Sequence, residues 1–202
     1  LGDVYKRQRY NQQGASGAKV ITGTPAITSL WGTPSCYGTA IQFAEYCYKY
    51  GKTHDMVAPF VVNSRRNGML FPERYWTQHH PEQLTTGDYL TSRWIAKPAN
   101  LFDNDIPIMA VAAYLFTTSE RAKSLRQKPV YILNHSSSRA KARSIIPTLD
   151  EVQQETTRTA RKLYEGAGIT ANDLSFENMY DGFSLLHQFD LEGLGYRGIK
   201  PG

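Results

Sequence analysis

Glu177-Asn178-Met179-Tyr180-Asp181-Gly182-Phe183-Ser184 reads as a strand running into a glycine turn and then a helix. The pair Tyr180-Asp181 in it has the most chemistry to offer of any in the chain. A strand end at such a junction projects into a crevice, where open α/β sheets place their ligands. Phenols titrate near ~10 in water, so a tyrosine is a poor base at neutral pH but a good hydrogen-bond donor. Tyr180 could polarise a carbonyl or hand a proton to a developing oxyanion. The competing structural reading packs it in a core with its hydroxyl satisfied.

Other reactive side chains carry weaker signals. Cys36 opens a helix, and a helix N-terminus lowers a thiol pKa. No His or Asp accompanies it locally, and a free cysteine more often packs as a small hydrophobe. Cys47 falls mid-helix and reads as structural. His79-His80 is a poor metal site because adjacent side chains point apart. His54, His135 and His187 stand singly, with His187 of most interest, one helical turn after Phe183. Asp103-Asn104-Asp105 lacks the glycine and terminal Glu of a calcium loop, and it reads as a turn before a strand. No metal site is expected. There is no phosphate loop, dinucleotide glycine fingerprint or G-x-S-x-G elbow.

These residues sit in a chain of 202, with 41% hydrophobic and 20% charged content, ordinary for a globular protein with a real core. The net charge of +5, from 23 basic and 18 acidic residues, is too mild and too scattered to indicate nucleic acid. It would suit an anionic, phosphate-bearing ligand. No apolar run approaches the ~20 residues that span a bilayer. Two cysteines without metal or disulfide spacing fit a reducing cytoplasm. Leu1 to Gln8 reads as adaptor-derived sequence with no initiator Met, and the chain stops at Ile199-Lys200-Pro201-Gly202 just after a helix, so a fragment with a false start and a missing end is expected.

Residues 9–36 are loop-like, rich in Gly, Ser, Thr and Gln. Tyr37, Ala40, Ile41, Ala44 and Tyr48 recur at helical spacing, and Gly51 supplies a stop. A second helix follows Thr53, with Pro59 kinking it or delaying its start. Residues 68–105 read as irregular. The run from Ile108 to Thr117 predicts a strand buried on both faces. Ser119 caps a helix through Leu125, and 129–134 and 174–180 are further strands. Thr148 and Glu151 form a capping box for an amphipathic helix carrying Val152, Thr156, Ala160, Leu163 and Ala167 on one face. Phe183 to Leu194 is the last helix, stopped by Gly195. This order predicts an α/β fold with a largely parallel sheet, behind a separate, mostly helical cap.

Several phrases, in order over residues 31–202, resemble the thiolase superfamily, in its sterol-carrier-protein-type or lipid-transfer branch. They include Trp31-Gly32-Thr33-Pro34, Val62-Asn63-Ser64-Arg65-Arg66-Asn67-Gly68, Leu101-Phe102-Asp103-Asn104-Asp105-Ile106-Pro107, Lys128-Pro129-Val130-Tyr131-Ile132 and Tyr180-Asp181-Gly182-Phe183. The resemblance implies a thiolase-like fold fragment: a loop subdomain over 9–105, the last strand and helix of the N-terminal half over 106–128, and the start of the C-terminal half over 129–202. It maps an Asn/His-containing family motif onto Tyr180-Asp181-Gly182-Phe183, with Tyr180 and Asp181 catalytic and Gly182 and Phe183 supporting. Met109-Ala110 departs from the family's Asp-Gly. The nucleophilic cysteine would lie upstream of residue 9.

The implied activity of the full-length protein is acyl transfer on an acyl-CoA, making or breaking a carbon–carbon bond. Coenzyme A thioester would be substrate, with no cofactor bound permanently. Because Tyr replaces Asn or His, the resemblance also admits retro-aldol cleavage of a steroid side-chain acyl-CoA through Tyr180, with an OB-fold partner protein. A non-catalytic acyl-CoA or lipid-binding protein is the third reading. Relatives imply a homodimer.

Overall fold

A computed structural model describes residues 36–106, 111–138 and 147–202, and the side chains from 38 onward within them. The chain divides into two units: residues 1–33 with 106–131, and residues 34–105 with 132–202. The expected adaptor-derived opening, the loop to residue 35 and Met109-Ala110 lie outside the described residues.

The second unit holds most of the described structure. Helix α1 (Cys36–Tyr50) leads to a 3₁₀ turn (His54–Val57) and α2 (Ala58–Gly68). Pro59 falls in the first turn of α2, where its missing N–H costs nothing, so it delays the helix rather than kinking it. Two short helices follow, α3 (Tyr75–His79) and α4 (Thr86–Thr91). A reciprocal capping box starts α4: Asp88 N–H donates to Thr85 Oγ1, and Asp88 accepts from Thr85 N–H. Strands β1 (Trp94–Ala96) and β2 (Ala99–Asn100) pair antiparallel, and a 3₁₀ turn (Leu101–Asp103) follows.

Within the first unit, α5 (Ser119–Ala122) is shorter than expected. Back in the second unit, α6 (Leu149–Ala167) starts on the Thr148–Glu151 box and ends at Gly168 with φ +67°. Helix α7 (Ser184–Leu194) stops at Gly195 with φ +61°. Both stops use the left-handed conformation that glycine adopts without a Cβ penalty.

The core joins α1, α2, α4, α6 and α7 through Phe43, Tyr46, Val61, Tyr89, Leu149, Leu185 and Phe189. Leu185 and Phe189 stand four residues apart on α7, so one turn of helix points both inward. Full burial of such side chains stabilises by roughly 1.5–3 kcal/mol each. The face of α1 differs from expectation. Phe43 and Tyr46 are buried, while Ile41 and Tyr48 are exposed. Aromatic and aliphatic residues occur around the whole of α1, so spacing alone did not select the face.

No parallel strand pairing occurs among the described residues. Among the described residues the structure is helical with one two-stranded antiparallel sheet. Residues 111–118, 128–134 and 174–181 carry no strand pairing. A strand is stabilised by a ladder to a neighbour, and these segments have none among the described residues.

Candidate active site

Tyr180, Asp181, Gly182 and Phe183 fill the turn into α7. Tyr180 is 65% exposed, and its hydroxyl has no hydrogen-bond partner among the described residues. It is therefore not the packed core tyrosine of the competing reading. Its ring folds over the buried Gly182, where a Cβ would collide with the phenol oxygen and its ring carbon. Gly182 has no positive φ. Its service is room for the ring, not backbone freedom. Asp181 is exposed beside them. Phe183 turns inward onto Ala40, Ala96 and Ala99.

The turn is gripped residue by residue. Ser184 Oγ donates to Asp103 Oδ1 at 2.6 Å, Asn104 pairs with Phe183 in an antiparallel bridge, and Asp105 N–H donates to the Gly182 carbonyl at 2.9 Å. The pairs run 103 with 184, 104 with 183 and 105 with 182, the register of a short antiparallel ladder.

Behind the ladder lies a buried polar hub centred on Asp103, which is 3% exposed. Its Oδ1 accepts from the Tyr89 hydroxyl at 2.7 Å as well as from Ser184. Its Oδ2 accepts from His54 Nε2–H at 2.8 Å and from Asn100 N–H at 2.7 Å. Four donors fill the carboxylate's lone-pair directions, which is what keeps a buried carboxylate affordable. The His54 ring stacks on Tyr89 at 4.7 Å and meets Trp94 edge-on at 4.8 Å. Burial raises the Tyr89 pKa, followed by the negative charge of Asp103 and the hydrogen bond to it. Tyr89 therefore stays a neutral donor.

Sequence reasoning missed this hub. His54 stood alone, Tyr89 counted only as apolar bulk, and Asp103 read as a turn residue. Its members are 35, 14 and 81 residues apart. The one local signal was Asn100 with Asp103, a box that caps the 3₁₀ turn.

The remaining candidates read as structural. Burial pushes the Cys47 thiol up, followed by the Asp55 charge, so it is a poor source of thiolate. The Cys36 side chain lies outside the described residues. His187 stacks on Phe60 at 4.3 Å and lies 3.5 Å from Glu177. No group of three or more His, Cys, Asp or Glu that could hold a metal occurs among the described residues. No described helix is long and apolar enough to cross a membrane. A cleft of about 400 Å³ opens between α6 and α7, lined in part by Met179, the residue before Tyr180, with Leu163, Leu194 and Asp190. Burial raises the Asp190 carboxyl, with nearby His187 opposing and Glu177 adding to it.

Comparison with known proteins supplies relatives. No protein-family model matches the chain. It is 27% identical over 158 residues to the 17-hydroxy-3-oxo-4-pregnene-20-carboxyl-CoA lyase of Mycobacterium tuberculosis, covering 76% of this chain and 40% of that protein. It is 23% identical to the steroid side-chain-cleaving aldolase of Thermomonospora curvata, covering 91% and 48%. With the acetyl-CoA acetyltransferase of Methanothermobacter thermautotrophicus it shares 24%, covering 88% and 47%. The chain thus spans under half the length of the curated relatives it matches. Among solved structures, the Ltp2-ChsH2(DUF35) aldolase aligns with a TM-score of 0.67 at 21% identity, over 89% of this chain and 49% of that one. That likeness bears on fold alone.

Proposed function

We propose that the chain, similar to thiolases and steroid side-chain aldolases and thiolase-like in the manner of the lipid-transfer branch, forms part of an acyl-CoA enzyme that breaks or makes a carbon–carbon bond. The observation that carries this reading is the exposed Tyr180 side chain at the turn into α7, with no hydrogen bond to its hydroxyl among the described residues. A buried phenol with a satisfied hydroxyl would have argued for packing. An accessible one, held over a glycine, is free to meet a ligand.

Retro-aldol cleavage uses that hydroxyl most directly. The substrate is a β-hydroxyacyl-CoA. The Cα–Cβ bond breaks, its electron pair passes into the thioester as an enolate, and the β-oxygen becomes a carbonyl. The hydroxyl proton ends on Cα, with Tyr180 as relay, so the step is redox-neutral and needs no permanently bound cofactor. Two of the relatives are named as a lyase and an aldolase, which supports this direction. Thiolytic acyl transfer is the second reading, favoured by the acetyltransferase relative. In it Tyr180 would hydrogen-bond the thioester oxygen as negative charge develops. Asp181, exposed beside Tyr180, would act with it on the substrate. A homodimer and an OB-fold partner belong to the same proposal, and the solved neighbour is named for two components.

The test is turnover of β-hydroxyacyl-CoA to a carbonyl product, against CoA-dependent cleavage of a β-ketoacyl-CoA, by the enzyme that contains this chain and by its Tyr180→Phe variant. Proton-transfer catalysis contributes roughly 10²–10⁴-fold, so the variant should lose that much while keeping its melting temperature. Wild-type rates in Tyr180→Phe would remove the catalytic role. Tight acyl-CoA binding without either reaction would leave a binding protein.

A further inference from the structure

We propose that Asp103 is a positioning residue that aims Tyr180, by anchoring Ser184 through a carboxylate locked between His54, Tyr89 and Asn100. The inference rests on the catalytic reading of Tyr180 but concerns a different set of residues, none of which reaches the surface position of the phenol.

The physical case is one of rigidity. Tyr180 has no hydrogen bond of its own among the described residues, so its place is set by the backbone that follows it and by the surface of Gly182. That backbone is fixed at three successive points, Gly182, Phe183 and Ser184, by Asp105, Asn104 and Asp103. Of the three, the Ser184–Asp103 bond is the side-chain anchor and the most buried, with Ser184 at 5% and Asp103 at 3% exposure. Asp103 cannot drift. Oδ2 is held by His54 and Asn100, Oδ1 by Tyr89, and Tyr89 is fully buried. The Asn100 amide locks the same turn, donating to the Tyr89 carbonyl at 2.7 Å and accepting from Phe102 N–H at 2.8 Å. Groups that react within ~3 Å lose rate steeply when a support shell loosens, about a hundredfold for a displacement near 1 Å.

The experiment reads position and rate separately. The protein is labelled with 3-fluorotyrosine, and the Tyr180 fluorine resonance is assigned by its absence in Tyr180→Phe. Ser184→Ala deletes the anchor while leaving Asp103 three donors, and Ser184→Thr keeps a hydroxyl. The expected result is a shifted or broadened Tyr180 signal in Ser184→Ala and a roughly tenfold to hundredfold lower kcat with KM nearly unchanged. Ser184→Thr should restore both. An unmoved Tyr180 signal in Ser184→Ala, with only a lower melting temperature, would overturn the positioning role. A moved signal restored by Ser184→Thr supports it even if neither variant changes the rate, and in that case the catalytic reading of Tyr180 is what fails. Should Ser184→Ala not fold, Tyr89→Phe, which removes one donor to the same oxygen, is read against the same two outcomes.

Discussion

Tyr180 and Gly182 form a single device at the residue scale. The glycine is where the phenol rests, and the collision a Cβ would make there is with the far end of a side chain that can swing away. Gly182→Ala should therefore cost little stability, well under ~1 kcal/mol, because the flexible ring yields before the backbone does. The ring must nevertheless leave its position. Turnover in Gly182→Ala is expected to fall toward the level of Tyr180→Phe, with the melting temperature within a few degrees of wild type. Unchanged turnover would mean that the resting place of the ring is not its working place. Part of this device was legible in the sequence. Tyr beside Asp before Gly-Phe-Ser marks a turn into a helix, and the turn is there. The packing of the ring on Gly182 could not be read, because it depends on a side-chain torsion rather than on any pattern of residue types. The Asp103 hub was illegible for another reason: apart from Asn100, the partners that satisfy the carboxylate stand 14 to 81 residues away and leave no local spacing to find.

At the scale of elements, the helices were the readable part because their signals are short-range. Thr148 with Glu151 and Gly195 are capping chemistry confined to one turn, and each does its expected work, while Gly168 closes α6 in the same left-handed way. The short helices α3 and α4 were missed, since five or six residues hold too few turns to show a period. The contact between α6 and α7 gives a prediction of its own. Gly193 of α7 faces Thr156 of α6 so closely that a Cβ would lie 2.5 Å from Thr156 Cβ and 2.9 Å from its backbone carbonyl carbon. Backbone cannot step aside as Tyr180 can. Gly193→Ala must push the helices apart, and overpacking of this kind costs about 1–3 kcal/mol. At Gly166, also on α6, the atoms nearest a Cβ belong to the side chain of Asn134. Gly166→Ala is expected near neutral. Urea unfolding of the two variants checks the contrast, with the Gly193→Ala midpoint lower at an unchanged slope. Equal midpoints would show that α6 and α7 separate freely.

On the whole-molecule scale, the strand expectations failed in an informative way. Val111 is 92% exposed, Leu115 86%, Tyr114 79% and Phe116 73%, so both alternating sets of side chains in this run are bare. Val130 at 95% and Ile132 and Leu133 near 70% repeat the pattern. Apolar residues on both sides of an alternating run are the composition of a strand covered on both faces. The composition is therefore that of central strands, while no strand pairing for these runs occurs among the described residues. The sequence could reveal the appetite for burial but not the partner that satisfies it. Exposed apolar runs without a paired edge favour self-association. The 202-residue chain purified alone is thus expected to bind a hydrophobic dye and to sediment as a concentration-dependent mixture. Leu115→Lys with Val130→Lys should reduce both effects, because each charge sits in a bare run and neither residue belongs to the helical core. A monodisperse wild-type chain that leaves the dye dark would mean these runs are already covered in solution, and that their composition serves a contact made within the chain itself.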